Sequence, residues 1–410
     1  MGNIILFLNA IAYFLLFYLN WRKNKRMDIY FLLTFLYAFT AVMCFLYYQE
    51  VPSEYPNIGI IAFVYLFFAL MMFMAPIRTF DIRKKTLNII DNRYFLILAL
   101  IFLAFSAYDI VTSFAHTEEI IKSGAYEELR NMGYTDPDMV ELYSDQYQRL
   151  AKNVDSYLKP FALVYAFFQL TKPNPNKLLV ISLFIAIIVP SFIAAVADAS
   201  RGMIIGVLLQ LVVAYLLFKN NIPVERKKYF YIGSLVVLSG FVIYTIAVTL
   251  SRFGDDSGNS VFMYLGHSML VFNDGIFYNM TQYSWGGKFL DFFVDMFGLQ
   301  SFFPKAIGAT HPKAFCTFIG SLYTDFGPAG TLCMAVLAQL VIKRYFYTKE
   351  IKMSDAIMII FYSATIANGI MVSPRGRALT WIMTFVVYFI VRILEKKSKK
   401  VHIIKKVSYA

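Results

Sequence analysis

Runs of about 17 to 22 apolar residues, repeated along the chain, leave few structures open to this sequence. They fall at 3–20, 28–48, 58–76, 94–112, 155–171, 178–197, 202–218, 229–250, 327–342, 354–372 and 378–394. With 59% of its 410 residues hydrophobic and 16% charged, the chain has more apolar side chain than a soluble core can bury. Inside lipid each run must satisfy its own backbone groups, which helices do; the short alternating strands of a membrane barrel are absent. The expectation is an all-α polytopic integral membrane protein with about eleven transmembrane helices in a single bundle over residues 1–410.

The formal charge of +12 would suit a nucleic-acid binder if it were gathered in one patch, but the basic residues punctuate the apolar runs instead. The first connection carries Arg22, Lys23, Lys25 and Arg26, and every second connection after it is also basic. The six segments of that set, with the ends of the adjoining runs, hold about 26 of the 38 Lys and Arg residues and only about 7 of the 26 acids. Basic connections are retained on the cytoplasmic side, so the N-terminus is expected outside and the C-terminus in the cytoplasm. No nucleic-acid partner is implied. The first run lacks a basic leader and a small-residue cleavage site, and is expected to be a retained helix. Cys44, Cys316 and Cys333 have neither a disulfide framework nor metal-ligand spacing.

Two outside connections are long. In the first, 113–159, Asp136-Pro137 opens a stripe of Met139, Tyr143, Tyr147, Leu150, Val154 and Tyr157 at helical spacing, which predicts an amphipathic helix lying over the membrane helices. The second, 251–326, mixes Gly, Asp and Asn with dense aromatics, including Tyr283, Trp285 and a Phe-rich segment ending at Pro304. Such residues suit the headgroup level of a bilayer, where they act as anchors or stack on sugars.

The end of that second connection, Thr310–Gly330, places a histidine, a lysine and an aspartate just outside a membrane run, where ionisable groups are scarce. His311, biased to an extended backbone by Pro312, is a candidate general base for a sugar hydroxyl, because an imidazole titrates near working pH. Asp325 could orient His311, act as the base itself, or cap a helix beginning near Gly327. Lys313 could bind phosphate or a lipid headgroup. His267, in the apolar YLGHSMLVF, is a secondary candidate better explained by hydrogen-bonded packing.

Four arginines stand at the outer ends of runs against the orientation bias: Arg201, Arg252, Arg375 and Arg377. Each must be satisfied by an acid, a carbonyl, a headgroup or a substrate phosphate; Asp198 could pair with Arg201, and Asp255 or Asp256 with Arg252. As a set they suit a pyrophosphate, whose charge and geometry match several guanidiniums. No phosphate loop, zinc-protease pair or serine-esterase elbow is present, and the connection after the second run offers only Glu50 and Glu54, not the acidic pair of metal-dependent membrane glycosyltransferases, so neither metal nor cofactor is implied.

At Ser200-Arg201-Gly202, at Ser251-Arg252, and in FxxxxGSLYTDFGPAG from Phe315 to Gly330, the chain resembles the Wzy-type O-antigen and capsule repeat-unit polymerases of the bacterial inner membrane, a group related to the O-antigen ligases. The resemblance implies a GT-C-like helical scaffold and metal-independent glycosyl transfer at the outer face. An oligosaccharide would leave undecaprenyl pyrophosphate and join a lipid-linked acceptor repeat unit, with membrane lipids, a chain-length regulator and a flippase as partners. The His-x-His-Asn type segment of the ligases is not matched by His311-Pro312-Lys313-Ala314. A transporter or flippase of the same lipid-linked sugars is the alternative from another class; it predicts charged or broken helices near the bilayer midplane.

Overall fold

The computed structural model describes residues 1–123, 146–197, 202–253, 257–309, 316–370 and 377–397. A helix stands in each of the eleven apolar windows. These are α1 Gly2–Asn24, α2 Ile29–Glu50, α3 Ile60–Arg78, α4 Arg93–Ser123, α5 Gln146–Thr171, α6 Lys177–Ala197, α7 Gly202–Phe218 and α8 Val224–Phe253. After α9 Ser257–Leu270 and the short α10 Asp291–Met296 follow α11 Phe318–Tyr347, α12 Met353–Asn368 and α13 Arg377–Lys397. Among the described residues eight helices are long and apolar enough to cross a membrane: α1, α2, α3, α4, α6, α8, α11 and α13. The remaining three windows differ for physical reasons. Helices α7 and α12 are apolar but shorter, and α5 carries Asp155 and Lys159 beside its apolar half.

The chain packs as two compact units. The first comprises residues 1–81, 255–347 and 362–382. Its α1 and α2 form a tight hairpin: Lys25 takes a left-handed φ of 45° to end α1, and the Asp28 carboxylate caps α2 by accepting from Phe31 N at 2.8 Å. Arg26 bridges Asp28 and Asp81, both at 2.6 Å, so the end of this basic connection is tied to the one that follows α3. Helix α9 continues without a break into a π-helical turn, Val271–Phe277. At Gly266 the α9 backbone comes so close to α2 that a Cβ would sit 2.5 Å from the Met43 carbonyl and the Cys44 nitrogen. The connection between α8 and α11 therefore begins as a packed element, not as an open loop.

The second unit comprises residues 82–254, 348–361 and 383 onward. Two short parallel strands, Thr86–Leu87 and Glu350–Ile351, pair at Thr86↔Glu350 and Leu87↔Ile351. The Arg226 guanidinium gathers the carbonyls of Leu170, Lys172 and Pro173, fixing the start of α8 to the end of α5. Pro190 within α6 cannot donate to the Ala186 carbonyl, and Ser106 of α4 supplies the missing hydrogen bond at 2.8 Å.

Helix α5 corrects the expected amphipathic helix. Residues 124–145 lie outside the described residues, and from Gln146 the stripe is simply the first turns of the helix that continues to Thr171. Its exposed side mixes Tyr147 and Leu150 with Arg149, Lys152, Asn153 and Ser156, while Gln148, Ala151 and Asp155 are buried.

Candidate functional site

Helix α11 opens nine residues before the Gly-Pro-Ala-Gly turn and is broken within it. Gly327 adopts φ +71°, a region costly for any side chain, and the Tyr283 ring lies 3.1 Å from where its Cβ would be. Pro328 has no N–H to continue the ladder. The carbonyls at the break find other donors: Gly327 O accepts from Thr331 Oγ1 at 2.8 Å, and Pro328 O from Tyr65 Oη at 2.7 Å. Asp325 thus ends the first short stretch of helix, where the sequence had offered a cap for the next.

Asp325 is buried, and its carboxylate is engaged by residues 284–289. Oδ1 accepts from Ser284 Oγ at 2.6 Å, Gly286 N at 3.0 Å and Lys288 N at 3.2 Å; Oδ2 accepts from Phe289 N at 2.8 Å. Its backbone carbonyl accepts from Trp285 N at 2.6 Å. Trp285 and Gly286 take successive positive φ values, 49° and 97°, which turn these amides inward as a nest. Oriented N–H dipoles and one hydroxyl balance a charge that would otherwise be expensive to bury. The same turn leaves the Trp285 ring 62% exposed, with Tyr283 edge-on at 6.0 Å.

Phe289 carries the connection further. Its N–H donates to Asp325, and its carbonyl accepts from Ala378 N at 3.2 Å, so the first turn of α13, headed by Arg377, is tied to the clamped loop. At the other end of this stretch of α11, Phe318 N donates to Gly369 O at 2.8 Å. These two residues flank in sequence the segments that hold His311 and Lys313 on one side and Arg375 on the other. Beside them Asn368 Oδ1 is a buried acceptor with no partner among the described residues.

The other sequence candidates distribute as follows. His311 and Lys313 (310–315), Arg375 (371–376), and Asp198 and Arg201 (198–201) lie outside the described residues. Arg377 opens α13 in the first unit and Arg252 stands in the last turn of α8 in the second; of both, only the backbone is described. His267 on α9 meets Tyr55 Oη through Nδ1 at 2.5 Å and packs edge-on against Tyr47. Burial pushes the Tyr55 hydroxyl well above the ordinary phenol range, with Tyr47 and Glu54 adding to the effect, so Tyr55 keeps its proton. His267 is placed in a hydrogen-bonded aromatic cluster.

Sequence reasoning missed two groups. In the π-helical turn, Asn273 bonds Gly59 through both its amide oxygen (2.9 Å) and nitrogen (2.7 Å), while Asp274 accepts from Asn57 N at 2.7 Å. Together they hold the segment that leads into α3; an Asn-Asp pair inside the apolar LVFNDGIF was the available signal. In the second unit, Asp109, Gln148, Asp155 and Lys159 are polar groups packed between helices, and the apolar stripe on the opposite side of α5 drew attention away from them. Among the described residues no cluster of His, Cys, Asp or Glu could hold a metal ion. No family model, curated protein or solved structure matches the chain.

Proposed function

We propose that the protein is a repeat-unit polymerase of the bacterial inner membrane: a metal-independent glycosyltransferase that joins undecaprenyl-pyrophosphate-linked oligosaccharides at the outer face. The observation that carries this reading is the Asp325 clamp. The DFGPAG stretch, where the chain most resembles the Wzy-type polymerases, is the stretch whose aspartate organises residues 284–289 and, through Phe289, the start of the helix headed by Arg377. The basic connections support an outside N-terminus and a cytoplasmic C-terminus, which puts this region on the outer side. Eleven helices with a GT-C-like arrangement are the matching scaffold.

The leaving group is already activated, so the protein has to hold the pyrophosphate, stabilise its growing charge and take a proton from the attacking hydroxyl. Arg375 and Arg377 are assigned the pyrophosphate, with Lys313 as a further cation. His311 is assigned the proton. With its carboxylate engaged by four donors, Asp325 acts as a positioning residue. Arg201 and Arg252 are proposed as further anion-binding residues. Purified protein supplied with lipid-linked repeat units should lengthen the glycan. Transfer only to a lipid other than a repeat-unit carrier would indicate a ligase instead.

One observation favours a second reading. The transporter hypothesis predicts charge and broken helices inside the membrane, and α5 and α6 contain Asp155, Lys159, Pro160 and Pro190. Movement of the lipid-linked sugar across vesicles without glycan lengthening would establish it.

A further inference from the structure

The loop gripped by Asp325 presents a side chain that the grip itself does not use. Trp285 has a φ of 49°, a left-handed conformation that is costly for any residue with a Cβ, and its N–H is held by the Asp325 carbonyl at 2.6 Å. Its ring is 62% exposed. The next two residues are glycines pressed into the protein: a Cβ on Gly286 would lie 3.3 Å from the Phe326 ring, and one on Gly287 would lie 2.9 Å from Phe303 Cβ. The turn is therefore packed at its glycines, and the Trp285 ring stands out from it.

Rigid rings support the indole. Tyr283 lies edge-on to Trp285 at 6.0 Å and edge-on to Tyr323 at 5.9 Å. Tyr283 also covers Gly327, and Tyr323 is buried against Tyr65 and Phe277, with ring centroids 5.5 and 5.3 Å away. The array runs from the core of the first unit to its surface and ends in an open indole. A strained backbone that exposes a large aromatic ring over rigid support preorganises that ring for a ligand, because little side-chain freedom is left to lose on binding.

Position and surroundings select the ligand. Three hydrogen bonds lead from Trp285 to the first turn of α13: Trp285 N to Asp325 O, Phe289 N to Asp325 Oδ2, and Ala378 N to Phe289 O. Trp285 and the backbone of Arg377 are thus fixed through the same aspartate. Thr281 and Lys288, near Trp285 in the chain, are polar and exposed, while Phe292, Met296, Phe297 and Phe302 supply the exposed apolar side chains that suit lipid. An indole beside polar groups matches the C–H face of a pyranose, whose hydrogens are drawn positive by the neighbouring oxygens and lie against the negative π-face; a phosphate is repelled by the same face.

We propose that Trp285 is the stacking platform for a sugar ring of the lipid-linked repeat unit, with Tyr283 as its support. The assignment rests on the proposed function, in which Arg377 holds the pyrophosphate of the same substrate. Trp285 then sets the affinity for the glycan and leaves the chemical step to other residues.

The test uses the full-length protein in lipid nanodiscs, with Trp21→Phe and Trp381→Phe leaving Trp285 as the last of the three tryptophans. Undecaprenyl-pyrophosphate-linked repeat units should shield the indole from acrylamide, lowering the quenching constant about threefold or more, and undecaprenyl pyrophosphate without sugar should not. Equal shielding by both would overturn the assignment to sugar. Quenching by brominated phospholipid before substrate is added would overturn it too, by placing the ring in the membrane. In otherwise wild-type protein, Trp285→Gly removes the ring and takes the left-handed backbone without strain, so it should keep the melting temperature while KM for the repeat unit rises about tenfold and kcat stays within about threefold. Trp285→Tyr should recover most of that affinity. A wild-type KM for Trp285→Gly would overturn the proposal and leave the polymerase reading intact, whereas wild-type protein that neither binds nor extends repeat units would overturn both.

Discussion

The Asp325 carboxylate and the Ser284 hydroxyl, 41 residues apart in the chain, meet at 2.6 Å in a buried site. Around that bond three backbone amides turn toward the same carboxylate, so one side chain fixes a loop that has little regular structure of its own. Asp325→Ala leaves these donors unsatisfied and should destabilise the first unit by about 2–4 kcal/mol. Asp325→Asn, which keeps one acceptor oxygen, should be milder. Thermal unfolding in detergent measures both; a wild-type melting temperature for the alanine variant would show that the clamp contributes nothing.

Gly327 makes the turn that delivers Asp325 to the loop. Its φ of +71° and the nearby Tyr283 ring oppose any side chain, so Gly327→Ala should cost about 1–2 kcal/mol and reduce glycan lengthening. In a Tyr283→Leu background the steric share should shrink while the backbone share stays. Thermal melts of the four proteins separate the two.

The clamp was only partly legible in the sequence. Apolar period located the eleven helices of the apolar windows, because lipid imposes that pattern on side chains, but not α9 and α10 in the connection between them. Asp325 stood out as an acid at a run's edge, but its partners are mostly backbone N–H groups, which no side-chain pattern reveals. The α5 stripe misled for a related reason: Tyr147 and Leu150 mark the exposed side of the helix, and the residues that matter for packing are Gln148 and Asp155 opposite them. His267 was the converse case: its apolar neighbourhood suggested hydrogen-bonded packing, and its Nδ1 meets Tyr55 Oη.

That placement of His267 carries its own test. Tyr55→Phe removes the partner hydroxyl from a buried imidazole and should lower stability by about 1 kcal/mol while leaving the turnover rate of the folded protein within about twofold. A loss of turnover without a loss of stability would move His267 into the chemistry.

His311 and the arginines should behave differently from the clamp. His311→Gln should abolish most activity without changing the melting temperature, and the wild-type rate should rise with pH through the ordinary histidine range, roughly pH 6–7, as the imidazole loses its proton and can act as a base. Residual activity of the variant should lack that limb. Arg377→Lys should retain part of the activity and Arg377→Gln should lose at least about tenfold, since a point charge replaces a guanidinium only in part.

Orientation is testable with single cysteines in a background where Cys44, Cys316 and Cys333 are replaced. A membrane-impermeant maleimide applied to intact cells should label Phe302→Cys and should not label Lys25→Cys until the membrane is opened. The opposite pattern would place the clamp in the cytoplasm and remove the proposed site from the outer face.

The most direct measurement of the account as a whole is chain extension by the purified protein, reconstituted in vesicles with undecaprenyl-pyrophosphate-linked repeat units and a metal chelator, without nucleotide. A ladder of glycans longer by whole repeat units, absent with His311→Gln, is the predicted result. Repeat units that remain single while the wild-type protein is folded would contradict it.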